Sequence, residues 1–404
     1  MSDGPLAGLK VLDFCWVVAG PMVGRALADF GATVVKVESS ERLDASRVMG
    51  PFPDGVRDVQ KSLLFETANA GKFGLTLDMG RTEGVGVARD LARWADVVLE
   101  SFSPGQMVRW GLDYDRLSAG HPDLIMLSTS LMGQTGPLSA CAGYGNIGGA
   151  LSGFQGIVGR SGERPIGPFG PYTDYVGPKF GIVLLLAALD RVRKSGVGFH
   201  IDLAQVEASL MFLAPQIAEC SMTGRNVESD GNRDPAFAPH GVYRCRGKDR
   251  WVAIVARDDV EWGRLADIVG GADLMADRRF LTLALRKANE DSLDAIMSEW
   301  TAGFEPIAVE EQLQRIGVPA HVVASSADFC ADPQIDARRH LLRISHGLMD
   351  DVLIEGSRFR LSDTPASIDR SAPTFGRDNR HVLRLFAGYD DDRIADLEAA
   401  GVLK

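Results

Sequence analysis

Cysteine is scarce in this 404-residue chain. Cys15, Cys141, Cys220, Cys245 and Cys330 are odd in number, scattered and without C-x-x-C spacing, which argues against a disulfide framework and against structural zinc. Long hydrophobic runs are lacking as well. The longest, Ile182 to Leu189, is far too short to span a bilayer. The N-terminal residues show no positively charged stretch leading into an apolar one, so no secretory signal is read there and a cytoplasmic protein is expected. The seven histidines are dispersed, and none has the H-E-x-x-H spacing of a metal site. Neither a Walker A sequence nor a G-x-S-x-G elbow is present, which removes the common phosphate-loop and serine-hydrolase readings. Positive charge is in deficit: 43 Lys and Arg face 54 Asp and Glu, a net charge of -11, which argues against a nucleic-acid partner. An anionic small ligand stays compatible with that balance, because local arginines and backbone N–H groups can hold phosphates on an acidic protein.

The chain is longer than a single core usually accommodates, so two domains are expected. Leu9–Phe14 reads as a buried strand, Ala19–Ala28 as a helix closed by Gly31, and Thr33–Glu38 as a second strand, the order of a βαβ unit. The alternation continues with strands at Gly74–Asp78, Asp96–Glu100 and Leu124–Thr129 and a helix over Thr82–Trp94. The pattern predicts an α/β fold with a mostly parallel sheet. Residues 130–178 are dense in Gly and Pro and read as a long irregular segment, a type that is usually functional. Helices are expected from Phe180 through Arg193 and from Asp202 to Thr223, then a polar linker over Gly224–Arg233. A hairpin follows, Gly241–Cys245 with Arg250–Val255, and helices from Trp262 to about Leu313 complete a smaller α+β unit. From Pro319 the chain returns to strands and one terminal helix.

The chemistry-bearing candidates are few. Asp174 stands among Gly, Pro and aromatic residues, just before the apolar pattern that starts at Phe180. An aspartate at a helix start is most often a cap; in a half-apolar pocket it can be a covalent nucleophile. Gly143-Tyr-Gly145-Asn-Ile-Gly148 matches G-x-G-x-x-G, yet Leu138–Ala142 before it makes a poor strand, so a nicotinamide site is disfavoured. His240, between Gly and Pro, has no nameable partner and reads as a loop or packing residue. Arg109 follows a strand end, where ligands bind in open α/β sheets, and with Phe102 nearby suits a phosphate carrying a base.

Several segments in order are more specific. Gly8–Phe14, Val18–Pro21, Leu27–Ala32 and Val35–Glu38 resemble the N-terminal signature of the family III CoA transferases, which include formyl-CoA:oxalate and carnitine CoA transferases. The resemblance continues through Asn69–Lys72, Leu75–Asp78, Ser103–Gly105, Gly111-Leu112 and Gly133–Pro137, then Gly198–Asp202, Gly317–Ala320 and Asp332–Gln334, nearly the whole chain. Leu127–Gln134 and Gly143–Asn146 look closest to members acting on succinyl-CoA and larger acids such as benzylsuccinate.

That resemblance implies a large Rossmann-like domain with a parallel sheet, residues 1–224 and 325–404, a smaller α+β domain, residues 225–324, and an interlocked homodimer. It implies Asp174 as the nucleophile of a ping-pong exchange between an acyl-CoA and a carboxylic acid, with CoA as substrate and neither metal nor permanent cofactor. The CoA-contacting positions it assigns are Val18, Ala19, Leu77, Asp78, Met79, Gly80, Ser101, Phe102, Ser103, Arg109, Ala142, Gly143, Tyr144 and Gly145. Where formyl-CoA transferase has an arginine after the second strand, this chain has Ser39, which leaves Arg42 or Arg47 for the adenine-phosphate end. Gly145 replaces a glutamate there, which weighs against an oxalate-type acceptor. Gly148-Gly149 and the segment after Pro239 are the candidate oxyanion donors, and Trp16, Phe154, Phe169, Tyr172 and Tyr175 the candidate acyl-pocket lining. The related α-methylacyl-CoA racemases use a histidine where this chain has Tyr144. A phenol is too basic for two-base proton transfer, so acyl transfer is favoured.

Overall fold

Near-continuous burial marks the central strands of the computed structural model, which describes residues 4–160 and 162–404. In chain order the large unit runs β1 (Lys10–Asp13), α1 (Ala19–Asp29), β2 (Thr33–Glu38), α2 (Leu63–Asn69), β3 (Phe73–Thr76), α3 (Thr82–Trp94), β4 (Val97–Glu100), α4 (Gln106–Trp110), α5 (Tyr114–Ser118) and β5 (Ile125–Ser130). It continues with α6 (Gly145–Leu151), α7 (Phe154–Ile157), α8 (Tyr172–Ser195), β6 (Phe199–Ala204), α9 (Gln205–Leu210) and α10 (Ala214–Thr223). Strands buried on both faces read as unbroken apolar runs because helices cover a parallel sheet from either side. One such layer joins Leu12, Val35, Leu75 and Val98 to α3; the other joins Val11, Val34 and Ile125 to α1 and α8. The strand order is β3-β2-β1-β4-β5-β6, every neighbouring pair parallel. This is the doubly wound order of dinucleotide-binding folds, whose ligands sit outside the carboxyl ends near the switch between β1 and β4.

The chain divides into two compact units. The larger runs to Ile157 and adds Pro165–Val227 and Asp336–Lys404; the smaller holds Val158–Arg164 and Glu228–Ile335. In the smaller, β7 (His240–Arg244) and β8 (Trp251–Val255) form the expected hairpin, and β9 (Ala320–Val322) adds a third antiparallel strand. Helices α11 (Asp259–Met275), α12 (Leu283–Ala288), α13 (Glu290–Thr301) and α14 (Pro306–Arg315) pack Trp262, Leu265, Leu293, Met297 and Leu313 into its own core. After α15 (Ser326–Cys330) and α16 (Pro333–Ala337), an antiparallel hairpin, β10 (Leu341–His346) and β11 (Met349–Glu355), precedes α17 (Asn379–Leu385) and α18 (Asp391–Ala399).

That last segment protects the sheet. β3 is an edge strand, and its outward N–H groups are taken in turn: Gly74 N–H by Asp378 Oδ2 at 2.9 Å, Thr76 N–H by Asn379 Oδ1 at 2.9 Å, and Asp78 N–H by the Val402 carbonyl at 2.8 Å. Unpaired edge groups invite pairing with another chain, and this capping removes them.

Four sequence expectations need correction. Residues 130–178 are not irregular throughout, since α6, α7 and the first turns of α8 lie there. Their glycines hide the helical period by allowing close packing. The Asp202–Thr223 helix gives way to β6 and only then to α9 and α10, because Ile201 and Leu203 alternate into the core at strand spacing. Helix α8 starts at Tyr172 rather than at Phe180, with Pro178 inside it. The tail carries two helices at its end, not one. Among the described residues no helix is long and apolar enough to cross a membrane.

Candidate active site

The carboxyl ends of β1 to β4 open into a cleft of about 310 Å³. Phe14 and Trp16 line it from β1, Glu38, Ser39 and Arg42 from β2, Leu77, Asp78, Met79 and Gly80 from β3, and Phe102, Gln106 and Trp110 from the β4–α4 segment. Trp16 and Trp110 each meet Phe102 edge-on, at 5.6 and 5.1 Å between ring centres, which makes one wall aromatic. Ser101 Oγ ties that wall to the β1–α1 turn by accepting the Trp16 N–H at 2.9 Å. Val18 and Ala19 are buried at the start of α1, while Arg109 stands exposed on α4 with its guanidinium on the Gln106 side chain.

The two arginines offered for the nucleotide end have separate fates. Arg47 is 1% exposed, grips Glu38 at 2.6 and 2.7 Å, donates to the Pro373 and Val59 carbonyls, and is flanked by the rings of Phe65 and Phe375. Four of its five N–H donors are committed within the fold, and the guanidinium is buried. Arg42 is exposed on the cleft wall. Below Phe102, the buried Glu100 carboxylate accepts the Phe102 N–H at 2.8 Å, and burial raises its pKa to about 7.

Asp174 lies further along the same sheet edge, beside the ends of β5 and β6. Gln205, the residue after β6, accepts from Thr173 Oγ1 at 3.2 Å, and Val206 N–H reaches the Leu131 carbonyl at 3.1 Å. Asp174 is the third residue of α8, whose N-cap position is Pro171 with no side-chain cap. Of the two readings the sequence left open, a cap of its own helix is not what the side chain makes. Its Oδ2 instead accepts, at 3.1 Å, the N–H of Gly145, the first residue of α6. Only glycine fits there: a Cβ at position 145 would stand 2.4 Å from the Pro171 carbonyl oxygen and 2.8 Å from Asp174 N. Pro178, four residues on, has no N–H for the Asp174 carbonyl, so the helix loses a rung at this residue.

The side chain is 4% exposed, and no ion pair reaches it among the described residues. Burial raises its pKa to about 6, against the lowering effect of the Gly145 N–H and the Gln205 side chain. A carboxylate held this way is basic and short of hydrogen bonds, as a nucleophile needs to be.

Ala142, Gly143 and Tyr144 lead into α6 as exposed residues, Tyr144 occupying its N-cap position. The G-x-G-x-x-G match opens a helix but follows no strand, as the sequence suggested, and Gly148 exists for packing: a Cβ there would meet Thr173 Oγ1 at 2.3 Å. Gly148 N–H is spent on the Tyr144 carbonyl. Asn146 N–H, beside Gly145, has no partner among the described residues and went unnoticed in the sequence. His240 belongs to β7, paired with Val255, and its Nδ1 meets the Asn232 carbonyl. Phe154 and Tyr172 pack edge-on at 4.8 Å near Asp174, whereas Phe169 is fully exposed and lines no wall.

Comparison with known proteins identifies the family. The sequence model of CoA-transferase family III matches residues 6–379. A succinyl-CoA–D-citramalate CoA-transferase of Chloroflexus aurantiacus is 32% identical over 99% of this chain and 98% of its own length. A succinate–glutarate CoA-transferase of Agrobacterium fabrum is 32% identical over 94% of this chain and 95% of its own. Among solved structures, a CAIB/BAIF family protein from Brucella suis superposes with a TM-score of 0.87 at 31% identity, covering 95% of this chain and 99% of that one.

Proposed function

The chain belongs to CoA-transferase family III and is a CoA-transferase, and from that premise we propose that Asp174 carries CoA between two carboxylates as an aspartyl-CoA thioester. The observation that carries this reading is a buried carboxylate, without an ion-pair partner among the described residues and set on the same sheet edge as the cleft. From the end of β2 to that of β6 is four strand spacings, roughly 20 Å at about 4.8 Å each, a span suited to an extended pantetheine arm.

In the first half-reaction an Asp174 oxygen attacks the thioester carbonyl and CoA leaves as a thiolate, giving a mixed anhydride. The thiolate then attacks the aspartyl carbonyl and expels the donor's carboxylate. An acceptor carboxylate repeats the two steps in reverse and leaves as the new acyl-CoA, with Asp174 regenerated. Anhydride and thioester are of similar reactivity, so neither intermediate is a trap. The Gly145 N–H, which already meets the carboxylate, and the Asn146 N–H next to it in the chain are assigned as the oxyanion donors. Succinyl-CoA is the donor this reading favours and a dicarboxylic acid the acceptor, as the names of both relatives suggest. Arg42 is assigned to the nucleotide phosphates, and Arg109 reaches the same end through Gln106. An interlocked homodimer is supported by exposed Val183, Leu184 and Leu186 on α8 and by Met211, Phe212 and Met222 after β6. A monomeric sedimentation coefficient would remove that part of the reading.

The test is chemical. The protein is incubated with succinyl-CoA, trapped with hydroxylamine and mapped by mass spectrometry. A hydroxamate at Asp174, absent from Asp174→Asn, is expected. Exchange of an α-proton into deuterated water without any adduct would replace transfer by racemisation.

A further inference from the structure

Four charged side chains with no exposure at all surround one turn. Asp13 pairs with Lys72 at 2.7 Å and Lys36 with Asp44 at 3.0 Å. Asp13 Oδ1 accepts the Cys15 N–H at 2.9 Å, and Lys72 Nζ donates to the Pro21 carbonyl at 2.8 Å and to Asn69 Oδ1 at 2.9 Å. On the other side Lys36 Nζ donates to the Cys15 carbonyl, while Asp44 Oδ1 accepts the Val17 N–H at 2.9 Å. Ser46 fixes Asp44 in turn, its N–H and hydroxyl donating to the same oxygen at 2.9 and 2.7 Å.

The turn they hold is strained. Val17 has φ +68°, a left-handed conformation that a β-branched side chain adopts only where its surroundings impose it. Buried ion pairs are a poor way to add stability, since apolar residues of equal volume usually serve at least as well. What two such pairs can do is fix one geometry. Here that geometry puts the Trp16 ring on the cleft and leaves the N–H groups of Val18, Ala19 and Gly20 without partners among the described residues.

We propose that Lys36 and Asp44 are positioning residues for CoA capture, holding the strained Trp16–Val17 turn in the shape that grips the bound thioester. The proposal rests on the CoA-transferase reading of the cleft but not on Asp174. Capture and chemistry are therefore separable: the clamp acts on affinity for free CoA, and the nucleophile on turnover.

The experiment compares the full chain with Lys36→Met/Asp44→Leu, reading CoA affinity by calorimetry, the acyl-CoA KM against kcat, and the melting temperature. A folded double variant is expected to bind CoA about tenfold more weakly and to show a raised KM with kcat within about threefold, the pattern of lost uniform binding. Adding Val17→Gly, which adopts φ +68° without strain, is expected to recover most of that affinity. Unchanged affinity in the folded double variant overturns the proposal, as does a loss that Val17→Gly fails to recover. If the double variant does not fold, the near-isosteric Asp44→Asn is measured in the same way: weakened CoA binding restored by Val17→Gly supports the clamp, and wild-type binding overturns it. Turnover that survives in Asp174→Asn would sink the nucleophile reading alone, and a wild type that binds no CoA would sink both.

Discussion

The Asp174 carboxylate accepts the N–H of Gly145 at 3.1 Å, so the acid near the start of one helix closes the open end of another. The cap it supplies is for α6, not for its own helix. The contact also explains the glycine, since any side chain at 145 would drive the two helix ends apart.

Acyl transfer should follow the ionisation of this acid. Asp174 is raised to about 6 by burial and must be charged to attack. The rate at saturating acyl-CoA is expected to level off above that pH and to fall about tenfold per unit below it. A pH–rate profile flat from pH 5 to 8 would remove Asp174 from the rate-limiting chemistry.

The same shift bears on stability. An acid whose folded pKa lies above its unfolded value is protonated more readily when folded, so its ionised form opposes folding above about pH 6, and the penalty vanishes below the unfolded value. Asp174→Asn is therefore expected to be more stable than wild type by on the order of 1–3 kcal/mol at pH 8, with the gap closing near pH 4. Denaturant melts at the two pH values measure it, and a destabilised variant at pH 8 would contradict it.

Gly145→Ala forces a Cβ to within 2.4 Å of the Pro171 carbonyl oxygen. Backbone must shift, at a cost of about 1–3 kcal/mol, and Asp174 moves with it. The expected outcome is a lower melting temperature and a kcat reduced by about a hundredfold, as follows from a misplaced reacting group. Wild-type kcat would show that the carboxylate does not depend on α6.

Arg42 and Arg47 should part company in the same pair of measurements. Arg47→Met leaves Glu38 charged and buried and is expected to cost about 3–5 kcal/mol. Arg42→Ala, on an exposed cleft wall, is expected to leave the melting temperature in place and to weaken CoA binding by about tenfold. Unaltered CoA affinity in Arg42→Ala would move the phosphates elsewhere.

The sheet was readable in the sequence where strands are apolar on both faces, as at Val11-Leu12 and Val97–Leu99. β6 was not, because His200 and Asp202 interrupt its apolar residues at strand spacing, and a following helix pattern absorbed them. The start of α8 was hidden by Gly177-Pro178, which imitate a helix boundary, and α6 by its packing glycines Gly145 and Gly148. Asp174 could be named in advance, but its partner Gly145, 29 residues earlier, could not be: that contact exists only through the approach of two helices. Lys36 left a faint trace, a lysine inside an otherwise apolar strand, Thr33-Val-Val-Lys-Val-Glu38. Its role depends on Asp44 and on the Cys15 carbonyl, which only the folded turn brings within reach.

The capping of β3 sets an order of events during synthesis. Gly74 and Thr76 of β3 are held by Asp378, Asn379 and the Leu403 carbonyl, and Asp78 of the cleft wall by the Val402 carbonyl, about three hundred residues downstream. A ribosome that has completed the whole six-stranded sheet has still to release these residues before that wall is fastened. Residues 74–78 and residues 378–403 therefore meet only after every strand of the six-stranded sheet has been made.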